Sequence, residues 1–192
     1  MNKEKTFATE SLYIKDERYR KSLISLVKLL PDYFFEVPAS STGKYHPEFS
    51  LGKGGLVRHT KAAVKIAFDL LNDDSIGNIF KQEEKDLMIV SLILHDGLKH
   101  GLEKSDYVLF DHPLIIGKFI KENKNKTEFN DKEIAFIVDS ISSHMGPWNT
   151  NSYSEVVLPI PQNKYQKFIH MCDYLASRKY LDIKFKDNEI IE

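Results

Sequence analysis

Six side chains able to ligate a metal ion stand at separated points of the 192-residue chain: His59, His95, Asp96, His112, His144 and Asp173. The adjacent pair is the most informative. It follows LMIVSLIL (residues 87–94), apolar at seven of eight positions, with no polar transition between the run and His95-Asp96. An imidazole and a carboxylate at the inner end of an apolar helix are costly to bury unless something pairs them. A metal ion satisfies both at once. Lys99 follows within one turn, so the string has the form HDxxK. The dipeptide is weak evidence by itself, because 7 histidines and 14 aspartates in 192 residues supply about half a His-Asp pair by chance. Each of the others also has a plain structural reading. His59 would serve as a hydrogen-bonded core histidine, His112 as a helix cap and His144 as a partner for a helix C-terminus. Asp173 lies between Met171, Cys172 and Leu175 and is harder to explain this way, since a buried carboxylate is rare without a partner. Six such coincidences in the order H, HD, H, H, D favour a shared centre.

Helices must carry these residues to one place. Apolar spacing predicts a helix over residues 19–30, stopped by Pro31. Residues 36–55 read as loop, with two prolines and four glycines. A helix from about residue 56 carries His59 in its first turn, on the side of Ala63 and Ile66. Residues 82–96 form the central helix. A helix over residues 112–123 has Asp111 as its expected cap and Pro113 in its first turn. Asn130 with Glu133 three residues on forms a capping-box start for a helix ending at His144. Residues 145–161 read as loop, with a short extended piece at 155–158. Pro161 opens the last long helix, with Asp173 near its middle, and the charged tail beyond is expected to fray. Six helical segments with almost no strand signal predict an all-α chain of one domain.

Composition narrows the function. A hydrophobic fraction of 42% and a charged fraction of 29% suit an ordinary globular protein. The eight-residue run 87–94 is far short of a membrane span. The single cysteine, Cys172, rules out an intrachain disulfide and suits a reducing compartment, so the cytoplasm is the expected location. The net charge of −1 gives no electrostatic case for binding duplex nucleic acid. Lysines at 118, 121, 124 and 126, and basic residues at 178, 179, 184 and 186, are interleaved with acids and read as solvated faces. A small anionic substrate stays compatible.

The order and the local strings resemble the HD superfamily of metal-dependent phosphohydrolases. The residues that carry the resemblance are GGLVRHT around His59, LILHDGLKHG around His95 and Asp96, DHP at His112, SSHMG at His144 and HMCDYLASR around Asp173. They span about residues 43–178. Within the superfamily, the GGLxxHT and SxHxG strings are most similar to the HD part of bacterial 3′–5′ exoribonucleases. No OB module of the kind those proteins carry precedes it in this sequence. The resemblance implies a single HD-domain helical bundle over residues 1–192, with the helix at 19–31 packed on the core. It implies His59, His95, Asp96 and Asp173 as a basic metal set. His112 and His144 would be the additional ligands of a two-metal site, with Asp96 bridging. One or two divalent ions (Mn, Fe, Ni, Co or Zn) suit four nitrogens and two carboxylates better than Mg does. Such ions activate a water and clamp a phosphate oxygen, while Lys99 would offset charge on the phosphoryl group.

The expected activity is phosphoester hydrolysis of a nucleotide or short oligonucleotide, with phosphodiesters favoured. Nucleotide phosphohydrolysis and HD-type di-iron oxygenation are the alternatives, and a metal-stabilised binding module without catalysis is the third. His46 and Arg178 are the expected substrate contacts. His100 and His170 lie beside ligands, as supports behind them or on the surface, and Trp148 and Tyr45 are candidates to stack a base.

Overall fold

The computed structural model describes residues 2–181 and 183–191. Among them the chain forms eight α-helices and is all-α in class: α1 (Lys3–Thr6), α2 (Ala8–Ser11), α3 (Glu17–Leu29), α4 (Gly55–Asn72), α5 (Gln82–Leu94), α6 (His112–Glu122), α7 (Asp131–Ser142) and α8 (Lys164–Ala176). A short antiparallel hairpin follows, β1 (Phe185–Lys186) and β2 (Glu189–Ile190), pairing Phe185 with Ile190 and Lys186 with Glu189. The six long helices are the ones the periodicity predicts. The two extra are single turns before α3, too short to show a period.

α5 is the axis of the bundle. Every residue from Asp86 to Leu94 is buried, so this helix is apolar all round and needs neighbours on every side. It has them in α3, α4, α7 and α8. α6 packs on α7, and α4 packs along α8. Asp86 is buried within α5, and its carboxylate accepts from the backbone N–H groups of Lys15 (2.9 Å) and Asp16 (2.8 Å). That contact anchors the turn into α3.

Caps set the helix ends. Asp16 accepts from the Arg18 amide at 2.7 Å at the start of α3. Asn130 and Glu133 form the expected reciprocal box on α7, and Asn163 with Gln166 builds a second on α8. Each such cap contributes on the order of 1 kcal/mol. The Arg18 guanidinium grips Glu133 at 2.8 and 2.6 Å, tying α3 to the start of α7.

Four expectations need correction. Asp111 makes no side-chain cap bond to α6, whose first turn relies on Pro113 instead. Residues 155–158 form no strand; a single bridge, Asn151 to Ser154, replaces it. α8 begins at Lys164, beyond Pro161, so Asp173 falls in its last turn rather than its middle. The tail does not fray. Asp187 and Asn188, at φ +49° and +75°, make the tight turn of the hairpin, as such residues readily do. Glu189 then reaches Lys61 on α4 at 3.1 Å, and Phe185 packs on Phe49 with ring centroids 5.0 Å apart. No helix is long and apolar enough to cross a membrane among the described residues.

Candidate metal centre

The structure brings all six expected ligands together at the C-terminal end of α5. His59 comes from α4, His95 ends α5, Asp96 begins the turn after it, His112 opens α6, His144 follows α7 and Asp173 closes α8. The turn after α5 is tight. Gly97 lies where a Cβ would sit 2.8 Å from Leu30 Cδ2 and 3.2 Å from Ile116 Cδ1. The lack of a side chain there lets the end of α3 and the face of α6 close on the His-Asp turn. The turn continues in helical sense, so Lys99 returns over Asp96 and donates to its Oδ2 at 2.6 Å.

Asp96 divides the site in two. Its Oδ2 faces His95 Nε2 at 3.5 Å and His59 Nε2 at 3.8 Å. Its Oδ1 faces His112 Nε2 at 3.1 Å and His144 Nε2 at 3.7 Å. Asp173 Oδ1 completes the first half, 2.9 Å from His59 Nε2 and 3.4 Å from His95 Nε2. Two groups of potential ligands result, His59–His95–Asp96 and Asp96–His112–His144, each with its ligand atoms within 4.8 Å of one another. These buried histidine and aspartate groups could hold a metal ion.

Three of the rings are fixed by one device. Nδ1 of His95 bonds the Leu92 carbonyl (2.6 Å), Nδ1 of His112 the Leu109 carbonyl (2.7 Å) and Nδ1 of His144 the Ile141 carbonyl (2.8 Å). A carbonyl only accepts, so each Nδ1 carries a proton and each ring turns its Nε2 inward. His112 Nε2 and His144 Nε2 consequently face each other at 3.1 Å with Asp96 Oδ1 beside them, three lone pairs with no hydrogen among them. Asp96 Oδ1 and His95 Nε2 are buried without a hydrogen-bond partner. A cation is the chemistry that such a set lacks.

The acid–base behaviour agrees. Burial opposes a charge on Asp96, yet Lys99, His95 and the other two rings outweigh it and hold the carboxyl well below the usual range. Burial likewise works against Asp173, and His59 and His95 bring it down. Burial disfavours a charged His95, but Asp96 and Asp173 overcome it and raise the ring to about 8. The first half of the site thus stabilises positive charge on His95 Nε2. Burial keeps His112 below its ordinary value and therefore neutral.

Five of the six, His59, Asp96, His112, His144 and Asp173, line a cavity of about 260 Å³ together with Lys99, His46, Trp148, His170, Tyr174 and Arg178. A larger cleft of about 650 Å³ lies between Phe49, Arg58 and the hairpin and contains none of the six. His46 packs beside His59, ring centroids 5.6 Å apart; burial, with the charges of His59 and Lys99, pushes it down to about 4. Arg178 stands at the mouth, its Nε and Nη2 donating to Ser177 Oγ at 3.1 and 2.7 Å. The structure therefore brings both expected substrate contacts, His46 and Arg178, to the cavity.

The two histidines beside ligands in sequence differ in their contacts. His170 Nδ1 donates to the carbonyl of His144 at 2.7 Å, so it holds a ligand by its backbone. His100 lies buried away from the ligands, bonded through Nδ1 to the Ser105 carbonyl at 3.0 Å. Tyr33 was not expected here. Its hydroxyl donates to the Gly101 carbonyl (2.5 Å) and accepts from the His100 amide (3.1 Å), pinning the turn beyond Lys99 across 68 residues of chain. Nothing near Tyr33 in the sequence signals that contact. Cys172, beside Asp173, faces the core instead of the cavity, and burial pushes its thiol well up.

Compared with protein-family models, curated proteins and solved structures, the chain matches none.

Proposed function

We propose that the chain is an HD-type metal-dependent phosphohydrolase acting on a phosphoester of a nucleotide or short oligonucleotide, phosphodiesters being favoured. One observation carries this reading. The two oxygens of Asp96 face two separate pairs of histidine Nε2 atoms, an arrangement suited to two cations that share one carboxylate.

Bound divalent ions of the Mn, Fe, Ni, Co or Zn type would supply Lewis acidity, making a water acidic and polarising a phosphoryl oxygen. The chain's own residues do the remainder. Four rings and two carboxylates would hold the cations, and the backbone carbonyls of Leu92, Leu109 and Ile141 keep three of those rings aligned. Lys99, part-exposed to the cavity and anchored on Asp96, places positive charge where a phosphoryl group would gain negative charge. Arg178 offers a second cation at the mouth, and His46, kept neutral, offers a hydrogen bond within the cavity.

The test is metal analysis of the purified chain alongside hydrolysis of bis-p-nitrophenyl phosphate and of mono-, di-, cyclic and oligonucleotides with each metal. Lys99→Ala is expected to keep its metal and lose turnover by about 10²–10³-fold. Full turnover in that variant removes Lys99 from the mechanism. Oxygen uptake in place of phosphate release moves the chain to di-iron oxidation, and inertness toward the whole panel leaves a metal-stabilised binding module.

A further inference from the structure

Beyond the metal ligands, a run of flat groups leads to the cavity, three of them, Trp148, Tyr174 and Arg178, in its lining. Tyr45 comes from the loop before α4, Arg178 and Tyr174 from the end of α8, and Trp148 from the loop after α7. The Arg178 guanidinium lies 4.3 Å from the centre of the Tyr174 ring and 5.9 Å from that of Tyr45. Trp148 and Tyr174 stack in turn at 5.6 Å with only 13° between their planes. Trp148 remains 53% exposed although it lines the cavity that holds the ligands. An indole left half in water at the cavity that holds the ligands has not been placed there by the core.

The loop bearing Trp148 is held firmly. Gly146 has φ +62°, and a Cβ on it would meet His170 Cε1 at 2.1 Å. Only glycine lets the His170 ring lie against the backbone there. The same ring donates to the carbonyl of His144, so a ligand and the indole are fixed by one support, four residues apart in sequence. Arg178 makes no ion pair among the described residues, its guanidinium held by Ser177 and the two tyrosines alone. A cation without a carboxylate partner and a fixed, half-exposed indole therefore share one rim.

We infer that Trp148, backed by Tyr174, is a stacking platform for the nucleobase of a nucleotide whose phosphate is drawn by Arg178 and Lys99 toward the metal centre. Resting on the hydrolase reading for its site, the inference goes further in naming what selects the substrate: a planar aromatic ring beside the phosphate, so that phosphoesters lacking a base are discriminated against. Stacking is tolerant of base identity because every base presents a π face.

Trp148 is the only tryptophan of the chain, so its fluorescence reports this rim alone. Adenosine 5′-monophosphate titrated into the full chain, with and without metal, is expected to quench that emission, whereas ribose 5-phosphate leaves it unchanged. Calorimetry should show the nucleotide binding about tenfold or more tighter than ribose 5-phosphate. Trp148→Ala should erase that preference and Trp148→Phe restore most of it, with melting curves confirming that both variants fold. Equal affinity for the two ligands, or a preference that survives Trp148→Ala, overturns the inference. The two readings fail separately. Base preference without hydrolysis under any metal leaves the platform and sinks the hydrolase, while hydrolysis with no base preference does the reverse.

Discussion

Two clusters of buried charge grip α4. Lys61, fully buried, donates to Glu10 at 3.1 and 3.0 Å and to Glu189 at 3.1 and 3.3 Å. About 200° around the same helix, His59 faces Asp96 and Asp173. The first cluster is closed: one ammonium meets two carboxylates, and every proton has an acceptor. The second is open: its lone pairs outnumber the protons available to them, and Asp96 Oδ1 and His95 Nε2 are left without a hydrogen-bond partner. The difference separates a structural use of buried charge from a functional one. A cluster whose protons all meet acceptors fixes helices in place, whereas one that leaves buried acceptors without a proton has affinity for something else.

The largest expected effect falls on the closed cluster. Lys61→Ala leaves Glu10 buried without its cation and should cost about 3–5 kcal/mol, read by urea unfolding. The double replacement Lys61→Met, Glu10→Leu should recover most of that loss. Stability unchanged in the single variant would mean that the cluster is not closed as described. Added Mn or Zn should raise the melting temperature of the unaltered chain by about 5–10 °C at 100-fold excess over the dissociation constant. Asp96→Ala should abolish that rise, and Lys61→Ala should keep it from a lower baseline. A rise that survives Asp96→Ala would deny the open cluster its cation.

The smallest effect concerns pH. His95 is raised in the folded chain from its ordinary 6.5 to about 8 by Asp96 and Asp173 acting against burial. In chelator the bound proton therefore stabilises the fold fully below pH 6.5, and that stability fades as pH climbs through about 8. The loss should be on the order of 1–2 kcal/mol. Metal affinity should move the opposite way, gaining about tenfold per pH unit up to the same point, because the ion must displace that proton. Parallel trends with and without metal would show that His95 is not a ligand.

The open cluster was legible in the sequence, and the closed one was not. Short local strings deliver each of His59, His95, Asp96, His112, His144 and Asp173 to a helix end or a core-facing stripe, so the helix pattern already points them inward. Lys61 carries no such mark. In an amphipathic helix it reads as a solvated lysine, and its burial depends on Glu10, 51 residues earlier, and Glu189, 128 residues later. The hairpin holding Glu189 was missed for the same reason, because charged residues read as exposed until their partner is found. Asp111 shows the opposite error. A good capping residue stands before α6, but the chain enters at φ −88°, ψ 13° instead of the extended backbone that a capping side chain needs. His170 and Tyr33 act on backbone carbonyls far along the chain, contacts that composition cannot foretell.

The burial of Cys172 has a practical corollary. The sole sulfhydryl lies one position before Asp173, sealed in the core with its thiolate suppressed, so alkylating reagents cannot touch it while α8 stays seated. Its rate of labelling is a built-in clock for the peeling of that wall, and a cation that bridges Asp173 to the other helices would slow the clock.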